Sequence, residues 1–111
     1  MAESKPYRLH PEAWLEFEAA DDWYLQRSVD ASAGFIAAVS DALERISQSP
    51  RRWPKYLYGT RRLVLHRFAF SIIYLDAPDV LTIVAVAHNK RRPGYWKQRI
   101  PAPPPFPKPP L

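Results

Sequence analysis

The stretch Leu81-Thr82-Ile83-Val84-Ala85-Val86-Ala87-His88 is apolar and β-rich on both of its alternating sets of positions. A strand of that kind is covered on both faces, so it belongs at the centre of a sheet. Just before it, Ala77-Pro78-Asp79 has turn chemistry, and a run from Phe68 or Phe70 to Asp76 has strand character. A short link over Arg67 to Ala69 separates that run from another, Arg61 to His66. Links this short join neighbouring strands antiparallel. In the run 61–66, Leu63 and Leu65 alternate with Arg62, Val64 and His66. The leucines must face the core, which leaves Arg62, Val64 and His66 on the other face. Arg61 then falls to a structural or edge role.

Further out, the grammar is helical. Tyr7-Arg8-Leu9-His10 suits a short first strand that stops at Pro11, a residue tolerated in a helix's first turn. A helix is predicted over 11–27, with Ala13, Phe17, Ala20 and Tyr24 inward and Glu12, Glu16, Glu18, Asp21 and Asp22 outward or sideways. A second helix is expected from a cap at Asp30 to a stop at Pro50. Its stripe is Ile36, Val39, Leu43 and Ile46, widened by Phe35 and Ala42. The connection is short, so the helices form an antiparallel hairpin. The sequence therefore predicts an α+β fold of order β-α-α-β-β-β: a small, mostly antiparallel four-stranded sheet with an N-terminal helical hairpin on one face.

The 111 residues suit one domain, and the composition, 47% hydrophobic and 24% charged, is that of a soluble globular protein. Without cysteine there is no disulfide scaffold, thiolate zinc site or cysteine nucleophile. No apolar run is long enough for a membrane span, and the N-terminal residues show no signal peptide. The net charge of +5 is unevenly placed. Residues 1–50 hold 4 Lys+Arg against 9 Asp+Glu, a net of −5, whereas 51–111 hold 12 against 2, a net of +10. A basic half attracts RNA, DNA or an acidic protein, unless it is simply a solvated surface. The folded domain is expected over 1–100, and 101–111 reads as a proline-rich disordered tail.

Chemistry concentrates after the central strand. His88, Lys90, Arg91, Arg92, Tyr95 and Trp96 lie within nine residues. Cations to balance a phosphate, a group titrating near neutrality and a ring for stacking are what RNA binding or cleavage needs. The alternative is structural: His88 bonded to backbone at a strand end, with Tyr95 and Trp96 closing over the core. Both readings remain open on spacing alone.

With the Ser-Pro before the basic loop, Arg61-Arg62, Ile72-Ile73-Tyr74, Val86-Ala87-His88 and Arg91-Arg92-Pro93-Gly94-Tyr95-Trp96 in this order, the chain resembles the RelE/ParE superfamily of type II toxin–antitoxin toxins over about residues 6–99. The resemblance implies a cytoplasmic bacterial toxin silenced by a cognate antitoxin with an acidic or amphipathic segment. It needs no cofactor and no metal. One branch of the superfamily cuts mRNA on the ribosome; the other poisons DNA gyrase without cutting RNA. The endonuclease is the main expectation here and gyrase inhibition the alternative. For cleavage, the resemblance makes Arg62 the phosphate ligand, Arg91 the stabiliser of developing charge, His88 the general base or acid and Tyr95 the residue that orients a nucleotide. Arg51, Arg52, Lys55, Arg61, Lys90 and Arg92 would contact nucleic acid. One departure weakens cleavage: from Arg51 to Tyr74 there is no acidic residue to serve as base.

Overall fold

Four strands and two helices follow one another as β-α-α-β-β-β in the computed structural model, which describes residues 4–101. They are β1 (Tyr7–Leu9), α1 (Pro11–Leu25), α2 (Val29–Gln48), β2 (Arg61–Val64), β3 (Phe70–Asp76) and β4 (Leu81–His88). The sheet order is β1-β4-β3-β2. β1 runs parallel to β4, and the β2–β3 and β3–β4 pairs are antiparallel. β4 is thus an interior strand with the bounds its apolar pattern marked out. Among the described residues no helix is long and apolar enough to cross a membrane. Apart from Pro101, the tail assigned to 101–111 lies outside the described residues.

Local chemistry moved several boundaries. Pro11 is at the start of α1 and the His10 side chain accepts from the Glu12 N–H, but the helix ends at Leu25 rather than 27. Ser28, not Asp30, caps α2: its hydroxyl accepts from the Ala31 N–H at 3.2 Å and satisfies a first-turn donor. The buried stripe of α2 runs through Phe35 rather than Ile36, which is 40% exposed. Phe35 is fully buried beside Phe17, Tyr24, Phe68 and Phe70. β2 stops at Val64, although the Leu65 N–H still reaches the Phe70 carbonyl.

The main core lies between the hairpin and one sheet face, with Leu63, Ile72, Tyr74, Leu81, Ile83 and Val86 below the helices. The other face is not left bare. A β-bulge shifts the β3–β4 register between Ile73 and Tyr74 and leaves Val84 without a partner. Val84 and Ala85 consequently both join Ile73 and Ala87 in a second cluster, which is closed by Trp96. Trp96, 2% exposed, plays the core-closing part that the sequence left open for it.

Candidate functional site

β1 covers β4 only over Leu81–Ile83, so the remaining outer edge of β4 lacks a strand partner. Backbone groups on a part-buried edge need replacements. Side chains supply them. Arg99 Nη1 donates to the Val84 carbonyl at 3.1 Å, and the Val86 N–H donates to Glu16 Oε1 at 3.1 Å. Arg99 also clasps both Glu16 oxygens, at 2.7 and 3.1 Å. Arg91 Nη1 donates to Glu16 Oε2 at 3.2 Å, and the Tyr95 hydroxyl donates to the same oxygen. A single α1 carboxylate thus fastens the segment from Arg91 to Arg99 along the free edge of β4.

This was the residue that sequence reasoning missed. Glu16 was expected to face outward or sideways, yet its side chain is only 13% exposed. The signal was present: Glu16 lies three residues after Ala13 and four before Ala20, on the flank of the buried stripe. A carboxylate there must find partners, but the partners come from the far end of the chain.

The network tunes its members. Burial and the hydrogen bond to Glu16 push the Tyr95 phenol well above the usual tyrosine range. Burial works against the Arg99 charge, but the Glu16 hydrogen bonds and charge outweigh it, so its net shift is upward. The Arg91 guanidinium lies 3.6 Å from the Tyr95 ring centroid, stacked as well as ion-paired. Both residues therefore already have partners.

The strand register puts Arg62 and His88 on different sheet faces, yet one small hollow at the end of β4 is lined by all four residues expected to act in cleavage, Arg62, His88, Arg91 and Tyr95. The strand register pairs Arg62 with Ile73 and Ile73 with Ala85, whereas Phe70 pairs with His88. Arg62 accordingly shares the second face with Ile73, and His88 shares the helix-side face with Phe70, whose ring it meets edge-on at 5.1 Å. As the strand's last residue, His88 borders both the apolar groove under α1 and a small hollow beside Arg62. His88 Nδ1 accepts from the Lys90 N–H at 3.1 Å. Arg62 lies 4.4 Å from the Tyr56 ring centroid and has no carboxylate partner among the described residues.

Of the residues expected to contact nucleic acid, Arg51, Arg52, Lys55, Lys90 and Arg92 are exposed. Arg61 is half-buried and structural, donating to the Trp53 carbonyl at 2.7 Å and the Arg51 carbonyl at 3.3 Å. Among the described residues, no three His, Asp or Glu side chains converge as a metal site requires.

The groove under α1, about 450 Å³, is lined mainly by Ala19, Ala20, Trp23, Tyr24 and Phe70, with Glu16, His88 and Arg91 at its polar border.

Three comparisons with known proteins complete the picture. A family model described as "ParE toxin of type II toxin-antitoxin system, parDE" matches residues 7–93. No curated protein matches the chain. Among solved structures, one described as "Chromosomal ParDE TA system from P. aeruginosa" is similar at 16% sequence identity and a TM-score of 0.65. The match covers 77% of this chain and 96% of that one. At that identity it is the fold that is shared.

Proposed function

Because the chain belongs to the ParE toxin family of type II toxin–antitoxin systems, we propose that it arrests growth by inhibiting DNA gyrase without cutting RNA, and that a cognate antitoxin silences it. The observation that carries this reading is that one carboxylate already holds two of the cleavage residues. Glu16 engages Arg91 and Tyr95, although both line one hollow with Arg62 and His88. General acid–base cleavage needs base, phosphate ligand and charge stabiliser around one scissile bond. Binding and blocking another enzyme needs only a surface. The exposed cations Lys90 and Arg92 and the stacked Arg91 supply one beside the groove.

The antitoxin also has a suitable place to bind. An amphipathic segment can seat apolar residues in the groove beside Trp23 and Tyr24 while its acidic side faces the basic half of the toxin.

The test is induction in a bacterium together with purified gyrase assays. Inhibited supercoiling, DNA breaks and intact mRNA are expected. Normal supercoiling with excess toxin overturns the reading. A ribosome-dependent endonuclease is the second reading, favoured by Arg62, His88, Arg91 and Tyr95 lining one hollow. Its mark is mRNA cleavage on the ribosome that is lost in a His88→Ala, Arg91→Ala variant.

A further inference from the structure

The two arginines on Glu16 are not equivalent. Arg99 is set as deeply as the carboxylate, its side chain 14% exposed, and its fork is spent on both Glu16 oxygens and the Val84 carbonyl. The Arg91 side chain is 52% exposed, and among the described residues its one side-chain hydrogen bond is the 3.2 Å contact with Glu16 Oε2. Arg99 therefore does the holding. Arg91 is held and still open to a partner.

What is fixed about Arg91 is its plane. The Tyr95 ring lies against one face, 3.6 Å from guanidinium carbon to ring centroid, and the Glu16 carboxylate takes one edge. A guanidinium carries five N–H donors in a rigid fork, so bracing one face and one edge also sets the direction of the donors that remain. The backbone adds to this, because the Arg91 N–H donates to the His88 carbonyl at 3.0 Å and left-handed Gly94 (φ 82°) turns the chain just before Tyr95. An arginine left free on the same loop loses side-chain entropy when a partner binds; a braced one has already lost it. Arg91 also stands where two surface features meet, since it lines both the groove under α1 and the hollow beside Arg62. Lys90 and Arg92 flank it as exposed cations, but among the described residues only Arg91 of the three is braced by a carboxylate and a ring.

We infer that Glu16 is a positioning residue for target binding: it fixes the Arg91 guanidinium as a ready-made fork for a carboxylate on the target protein. Paired N–H···O bonds to a carboxylate are the strongest use of such a fork. That the accepting group belongs to a protein rests on the gyrase reading given above. The action of Glu16 through Arg91 does not.

The experiment is a double-mutant cycle in the full chain, read on two scales: the toxin concentration that half-inhibits gyrase supercoiling, and the inducer level that halves bacterial growth. Arg91→Lys keeps the charge and loses the planar fork, and is expected to weaken both effects by about tenfold with the urea midpoint unchanged. Glu16→Gln keeps the side chain's length and removes its charge, and is expected to weaken both effects by about tenfold as well. Together the two changes should cost about tenfold rather than about a hundredfold, because the second removes nothing that the first left in place. A Glu16 that served the fold alone would cost the same in either background, so losses that multiply in the double variant overturn the inference. Full activity in either single variant, or a wild-type chain that does not arrest growth, overturns it equally. Coupled losses of growth arrest alongside undisturbed supercoiling by wild-type toxin support the role of Glu16 and remove gyrase as the target. Glu16→Asp, which keeps the charge and shortens the reach, takes the place of Glu16→Gln if that variant does not fold.

Discussion

Glu16 receives hydrogen bonds from Val86, Arg91, Tyr95 and Arg99, which makes it the residue with the most distant dependants in the molecule. Removing one member of a part-buried charge network costs more than forming the network gained, because the partners are left unpaired. Glu16→Ala is expected to lower stability by about 2–4 kcal/mol in urea unfolding. Its second signature is spectroscopic: Tyr95, held above the usual range by burial and then by Glu16, should move part of the way back toward 10.0 in a tyrosinate absorbance titration. A merely loosened core would not move that titration selectively. The same shifts set a pH dependence. Tyr74 and Tyr95 both have folded-state values above the unfolded 10.0. Above that pH the unfolded chain releases protons that the native state retains, so stability falls as the pH rises. Denaturation midpoints should therefore be flat below about pH 10 and decline above it, less steeply in the Glu16→Ala variant.

At the scale of elements, β4 could be read from end to end because its pattern is local: eight residues apolar on both faces admit one placement. The alternation of Leu63 and Leu65 with Arg62 likewise placed Arg62 on the correct face. The α2 stripe was less legible. Phe35 and Ile36 are both large and adjacent, and only the approach of Phe17, Tyr24, Phe68 and Phe70 selects Phe35. The C-terminal segment has no regular structure beyond one 3-10 turn at Lys97–Arg99, so its position rests on a few fixtures. Gly94 has φ +82°, and a Cβ there would meet Tyr58 Cε2 at 2.9 Å. Gly94→Ala is expected to cost about 1–3 kcal/mol, from the strained backbone and the displaced ring together. Hydrogen exchange should show the loss confined to the segment around 91–99, with β3 and β4 protected as before. Uniform loss of protection across the sheet would contradict that assignment.

For the whole molecule, the acidic N-terminal half and basic C-terminal half form parts of one fold rather than separate modules, because β1 and α1 both pack on β4. The Glu16 network is where the two charge sets meet. Among the described residues the α-helices and strands lie within 7–88, a single 3-10 turn follows at Lys97–Arg99, and the clasp on β4 ends at Arg99. Truncation after Pro101 is therefore expected to leave the urea midpoint and growth arrest unchanged; a lowered midpoint would show that the folded domain extends past residue 100. What the sequence by itself determined was the order and kind of its elements and the central place of β4, since periodicity and turn chemistry are properties of neighbouring residues. Only the tertiary structure decided that Glu16 turns inward to hold Arg91, Tyr95 and Arg99, that a bulge at Val84 builds a second core, and that Arg62 and His88 meet at one hollow from different sheet faces. These outcomes depend on strand register and on contacts 70 or more residues apart, and the hydrophobic period of a single segment carries no information about either.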